Sequence, residues 1–161
     1  MLRPLLLTLL CALGPAAALA QDAAISFGGL KQDTSLPVEV KADSLAVNQA
    51  DGSATFTGNV LVGQGEMRLS AGMVRVEYGQ GGKSIEKLHA TGGVTLASAK
   101  DAAEAREAVY TIASGSVVMT GDVLLTQGGS AISGQKLVID LKAGTGRMEG
   151  GVSTIFVPGG N

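Results

Sequence analysis

The stretch Phe56-Thr57-Gly58-Asn59-Val60-Leu61-Val62 carries the pattern that decides the fold. Phe56, Gly58, Val60 and Val62 occupy every second position of this stretch. In an extended chain, successive side chains point to opposite faces, so these residues share one face. The alternation therefore predicts a β-strand that is buried on one side only.

The same stretch belongs to a repeat that runs along the chain. A glycine-valine signal recurs at intervals of 34, 29 and 29 residues, and a second apolar signal alternates with it at intervals of 29, 34 and 29 residues. The first signal begins at Gly58, Gly92, Gly121 and Gly150. A unit this short cannot bury its own apolar face, so the units must stack or roll into one sheet.

Turn residues separate the alternating segments, as at Asp51-Gly52, Gly79–Gly82 and Gly128-Gly129. The pattern predicts an all-β fold of about fourteen short antiparallel strands. Helix formers occupy 99–108, but the repeat restarts a strand near Ala105. We therefore predict a loop, or a single helical turn, over Lys100–Glu104.

The two ends of the chain predict export and one domain. Arg3, the apolar run Leu5–Leu13 and the motif Ala18-Leu19-Ala20 predict a signal peptide over 1–20, cleaved after Ala20. The apolar run is shorter than the 20 or so residues that a membrane span requires. We predict a flexible N-terminal segment at 21–36, a single β domain at 37–158 and a short C-terminal end at 159–161.

The composition argues against catalysis and against nucleic acid. Cys11, the only cysteine, lies in the predicted signal peptide, and His89 is the only histidine, so we expect no metal site and no cofactor. Aspartates near turns, such as Asp51 and Asp140, are better explained as turn caps than as a catalytic pair. No basic cluster points to nucleic acid. We predict a binding protein rather than an enzyme.

At these motifs the chain resembles the lipopolysaccharide transport protein A (LptA) family, also described as OstA-like. The resemblance runs from 37–43 through 54–60, continues at Leu69-Ser70-Ala71 and 118–123, and closes at 152–158. It therefore covers nearly all of the predicted mature chain. The block Phe56-Thr57-Gly58-Asn59-Val60 is specific in this repeat context.

The resemblance implies a fold, a role and partners. The fold is a single twisted, V-shaped β jelly roll with an open apolar groove along its length. The role is to shield the acyl chains of lipopolysaccharide in the periplasm of a Gram-negative bacterium, for outer-membrane assembly. The implied partners are lipopolysaccharide, further copies stacked head to tail, the inner-membrane component C and the outer-membrane component D.

Apolar residues on the inward positions of the strands are the candidates for the groove, although each is also a candidate for closed core. Val38 and Val40 correspond to the inward pair of the family's first strand. The others follow from alternation and are Phe56, Val60, Leu69, Val74, Val76, Leu88, Val94, Leu96, Tyr110, Ile112, Leu124, Leu137, Ile139 and Ile155.

Other interpretations keep the repeat but change the role. The chain is also compatible with the periplasmic domain of component C, with a fragment resembling component D, or with a structural β-repeat protein. A component C protein would retain a membrane helix, and a structural array would have longer polar ladders. A hydrolase built on a β-helix lacks a visible acidic cluster.

Overall fold

The computed structural model describes residues 25–26 and 29–158. These residues form strands and turns without helix, and none of them forms a helix that could cross a membrane. The predicted signal peptide and the C-terminal end at 159–161 lie outside the described residues. The strands are β1 (Ile25–Ser26), β2 (Glu39–Lys41), β3 (Ser44–Asn48), β4 (Ser53–Gln64), β5 (Met67–Tyr78), β6 (Ile85–Thr91), β7 (Val94–Ser98), β8 (Asp101–Ala105), β9 (Glu107–Thr111), β10 (Ser116–Gln127), β11 (Ser130–Asp140), β12 (Thr145–Glu149) and β13 (Ser153–Ile155).

All of the described strand pairs are antiparallel, and together they form one sheet. The all-β prediction is confirmed, with thirteen strands in the described part of the chain against about fourteen expected. The alternation is also visible in burial. In β5, for example, Met67, Leu69, Ala71, Val74 and Val76 are buried, while the other residues from 68 to 75 are exposed.

The sheet bends along one line that crosses every long strand. In β4 the pairing shifts register at Gly58-Asn59, and in β10 it shifts at Gly121-Asp122. Each dipeptide adopts positive φ, with Gly58 at 83° and Asn59 at 46°. Gly92-Gly93, between β6 and β7, has the same conformation. We call this the bend line; a bulge with left-handed residues turns the strand without ending it.

The bend line divides the sheet into two layers. Layer A is β3, the start of β4, the end of β5, β6, β9, the start of β10, the end of β11, β12 and β1, in that order. Layer B is β2, the end of β4, the start of β5, β7, β8, the end of β10, the start of β11 and β13. Each layer is apolar on one face, so the two faces enclose a common core.

Close backbone contact at the bend line gives a test of this architecture. A Cβ on Gly92 would lie 3.2 Å from Cα of Gly72, whereas a Cβ on Gly93 would meet nothing within 4 Å. Both glycines have positive φ, which costs a non-glycine residue roughly 1–2 kcal/mol. We expect Gly92→Ala to lower the free energy of unfolding by more than the matched variant Gly93→Ala does. Equal losses in urea titrations would mean that β5 and the β6–β7 joint do not approach this closely.

One expectation about local structure is wrong. Lys100–Glu104 is neither a loop nor a helical turn, because β8 begins at Asp101 and pairs with β7 and β10. The connection is only the two-residue turn Ala99-Lys100. Within the predicted flexible segment 21–36, described residues contact the β domain. Ile25–Ser26 pairs with β12, and the side chain of Leu30 is fully buried.

Candidate functional site

The interior between layers A and B collects most of the residues that the sequence assigned to a groove. Ten of them are at most 2% exposed and belong to one apolar cluster. They are Val60, Leu69, Val74, Val76, Leu88, Val94, Leu96, Tyr110, Leu137 and Ile139. Val38, Val40, Phe56 and Ile112 are half-buried and pack against the same cluster.

Leu124 and Ile155 were assigned wrongly to the inward face. Leu124 is 38% exposed, while its neighbours Val123 and Leu125 are buried. Ile155 is 67% exposed and pairs with Ala131, which lies next to the inward residue Ile132 and so faces outward. Both residues sit in runs of consecutive apolar residues, where alternation does not select a face.

The interior also contains buried residues that the groove assignment missed. Val62, Met67, Val117, Met119 and Leu125 are all buried at 1% exposure or less. Alternation also predicts that these residues face inward, because each lies two residues from another inward residue. Leu30 carried no such signal, because it is an isolated apolar residue between Gly29 and Lys31.

A polar chain spans the interior at the side opposite the bend line. The Tyr110 hydroxyl of layer A donates a 2.7 Å hydrogen bond to Oε1 of Gln64 in layer B. Nε2 of Gln64 then donates to the carbonyl oxygens of Thr34, at 3.1 Å, and Leu36, at 2.9 Å. Because Tyr110 and Gln64 are each 1% exposed, these bonds satisfy groups that would otherwise be costly to bury.

Burial raises the pKa of Tyr110 to about 12, against an ordinary value of 10.0, although the hydrogen bond to Gln64 opposes this rise. The folded protein therefore holds the phenolic proton more tightly than the unfolded chain does. The contribution of Tyr110 to stability should be constant below pH 10 and should fall as the pH rises from about 10 to about 12, by up to about 2–3 kcal/mol. Urea unfolding across this range measures the loss.

The variant Tyr110→Phe is the control for this alkaline loss. It leaves Oε1 of Gln64 without its donor, so it should be less stable at neutral pH by about 1–3 kcal/mol. Above pH 10, however, it should lose less stability than the parent protein. An unchanged alkaline loss in Tyr110→Phe would contradict the assignment of this proton to Tyr110.

The apolar inner surface continues to both ends of the sheet, where no described strand covers it. At the first end, Leu45 and Val47 of β3 pair with the inward residues Phe56 and Ala54, yet they are 55% and 65% exposed. At the last end, Val152 and Phe156 flank strand β13, in which Thr154 pairs with buried Ile132. Both are more than half exposed. The interior is thus closed along its length and bare at its ends.

These features define a class of protein. One antiparallel sheet is folded along a glycine-containing line around an apolar interior that reaches both sheet ends. Among the described residues, no group of three or more His, Cys, Asp or Glu side chains could hold a metal ion. The arrangement is that of a jelly-roll-like protein with an apolar interior.

The chain belongs to the family described as "LptA/(LptD N-terminal domain) LPS transport protein", whose model matches residues 39–145. It is 30% identical over 116 residues to the lipopolysaccharide export system protein LptA of Escherichia coli, a match covering 68% of this chain and 63% of that protein. It is 29% identical over 144 residues to the export system protein LptH of Pseudomonas aeruginosa, covering 85% and 77%.

The fold has a counterpart among solved structures. The crystal structure of LptH, described as the LptA-homologous periplasmic component of the lipopolysaccharide transport device of Pseudomonas aeruginosa, superposes with a TM-score of 0.71. The match covers 79% of this chain and 99% of that one, at 19% identity. The predicted family and the jelly-roll-like fold are therefore confirmed, and the relatives do not favour the component C interpretation.

Proposed function

We propose that this protein is a periplasmic carrier of lipopolysaccharide, which holds the acyl chains of the lipid between layers A and B. The observation that carries the proposal is the continuous apolar interior, exposed at both sheet ends, in a chain that belongs to this transport family. Acyl chains cross an aqueous compartment only if their apolar surface is covered. Burial is worth about 0.8 kcal/mol per methylene, so a lipid with several chains gains more from it than from any single polar contact.

The inward residues are the proposed contacts for the lipid. Val38, Val40, Phe56 and Ile112 come first, because they are half-buried at the margin of the cluster and can be reached without dismantling its centre. The fully buried predicted residues become available only when the layers separate. In this proposal the protein acts as a carrier and not as an enzyme, and its N-terminal 1–20 is an export signal.

The proposal extends to assembly. Copies stack head to tail, so that Leu45 and Val47 of one copy meet the end containing Val152 and Phe156 of the next. The outer edges of β2, β3 and β13 have no described partner and are open to strand addition. The same edges are the proposed docking points for the inner-membrane component C and the outer-membrane component D.

Native mass spectrometry of the purified protein with added lipopolysaccharide tests the carrier function. We expect a one-to-one adduct that survives desalting and that is absent when the lipid is replaced by its deacylated polysaccharide. A structural β-repeat protein would give no adduct with either. Equal adducts with both would place the contact on the sugar and would contradict binding through acyl chains.

A further inference from the structure

Residues 29–36, which we call the strap, lie across the mouth of the interior. The mouth is the side away from the bend line, where the hairpin turns of the two layers face each other. Gln32 donates its backbone N–H to the Leu141 carbonyl in layer A at 2.8 Å, and its Nε2 to Oγ of Ser98 in layer B at 3.1 Å. The strap therefore touches turns of both layers.

The strap follows the mouth along much of its length. At its start, a Cβ on Gly29 would lie 3.2 Å from Cγ of Asp101, at the β7–β8 turn. At its end, Leu36 reaches Gly65 at the β4–β5 turn, where a Cβ on the glycine would lie 3.0 Å from Cδ1 of the leucine. One segment thus passes from the β7–β8 hairpin to the β4–β5 hairpin of layer B, while its bond to Leu141 holds it against layer A, so it covers the entrance between the two layers.

The strap presents lipid-like groups to the interior. The side chain of Leu30 is fully buried in the apolar cluster, while its neighbour Lys31 is exposed. The carbonyl oxygens of Thr34 and Leu36 accept hydrogen bonds from buried Gln64. An apolar side chain inside the cluster, followed by two carbonyl acceptors at the rim, has the same order of groups as an acyl chain joined to a sugar through an ester or amide.

We propose that the strap occupies the entry site of the lipid, and that uptake of an acylated sugar displaces it. This inference rests on the proposed carrier function. An acyl chain takes the place of Leu30, and its ester or amide carbonyl takes over Nε2 of Gln64. Gln64 is then the residue that positions the linkage between acyl chain and sugar, through a neutral hydrogen bond.

The strap has few backbone contacts with the layers, so an entering lipid must replace mainly its side-chain contacts. Among the described backbone hydrogen bonds, only the one from Gln32 to Leu141 joins the strap to a layer, and the strap has no strand partner. Preceding it, β1 adds only a two-residue pairing with β12. Since apolar stabilisation grows with the area removed from water, a full acyl chain outcompetes one leucine side chain for the same space.

A disulfide between the strap and layer B tests the displacement. The chain after Ala20 has no cysteine. A Cβ at residue 29 would lie 3.2 Å from Cγ of Asp101, so the Cβ of residue 101 is at most one bond farther away, close to the separation that a disulfide spans. We expect Gly29→Cys/Asp101→Cys to bind lipopolysaccharide at least tenfold more weakly when oxidised than when the same protein is reduced. Equal binding in both states would overturn the strap proposal. No binding in either state, nor by the parent protein, would overturn the carrier function with it.

Proteolysis of the unmodified protein provides a second readout. Lys31 lies in the strap and Lys83 lies in the β5–β6 turn, and both are exposed. Adding lipopolysaccharide should accelerate tryptic cleavage after Lys31 severalfold, because the strap leaves the mouth, while cleavage after Lys83 serves as the control. Cleavage after Lys31 that slows or stays constant while lipid is bound would mean that the strap remains in place.

Discussion

Placing a carboxylate at Val40 is expected to abolish lipopolysaccharide binding while leaving the sheet folded. Val40 is half-buried on the inner side of β2 and pairs with fully buried Val62. A charge there would have to be desolvated by incoming acyl chains, and an uncompensated buried charge costs several kcal/mol. A loss of about 3 kcal/mol weakens binding by a factor of about one hundred. The unliganded protein tolerates the charge because β2 lies at the sheet edge.

Leu61→Asp is the matched control for Val40→Asp. Leu61 lies on β4, pairs with Lys41 next to Val40, and is 39% exposed on the outer face. It introduces the same charge at the same end of the sheet without entering the interior. Lipid titrations of both variants, together with their thermal midpoints, separate binding from stability. Retained binding in Val40→Asp, or equal loss in Leu61→Asp, would remove the first end of the interior from the site.

The second large effect concerns assembly. Leu45 is 55% exposed on the inner side of edge strand β3, and a following copy would cover it. We expect light scattering to report a mass that climbs with protein concentration, because a head-to-tail contact does not close on itself. Leu45→Asp should hold the mass at that of a monomer, since it would bury a charge at the junction.

The control for this variant is its neighbour. Ala46→Asp carries the same charge on the same edge strand but on the opposite face, so it should still allow growth. A proline at Ile155, on the other edge, should also stop growth by interrupting edge-to-edge hydrogen bonding. A parent protein that remains monomeric at every concentration, or that forms a dimer and stops, would contradict open-ended stacking.

Much of the fold could be predicted because one physical rule, alternation on a half-buried sheet, operates in nearly every strand. Val74, Val76, Leu137 and Ile139 were placed correctly on the inner face for that reason. Alternation cannot decide which face a residue occupies when both of its neighbours are also apolar. Leu124 is such a residue, because it lies between Val123 and Leu125. There, packing against the other layer decides which residue is buried.

The segment 101–105 was mispredicted for a different reason. Alanine and glutamate favour helix locally, but β7 and β10 on either side leave two open edges, and pairing with both outweighs that preference. The strap was missed because its position depends on contacts with residues far along the chain, such as Ser98 and Leu141. No periodic pattern in 29–36 encodes them.

The bend line has a mechanical consequence for the proposed carrier function. Strands β4 and β10 cross it at Gly58-Asn59 and Gly121-Asp122, and Gly92-Gly93 connects β6 to β7 there. Rotation of one layer against the other is therefore concentrated at these joints, while strand pairing keeps each layer stiff. About five residues of strand separate these joints from the rim, a lever arm of about 16 Å at about 3.3 Å per residue. A rotation of only about 10° at the joints therefore displaces the rim by about 3 Å without breaking a ladder. The width of the interior would then depend on rotation at all of these joints together, and in the proposed head-to-tail stack the widening of one copy would exert torque on the next.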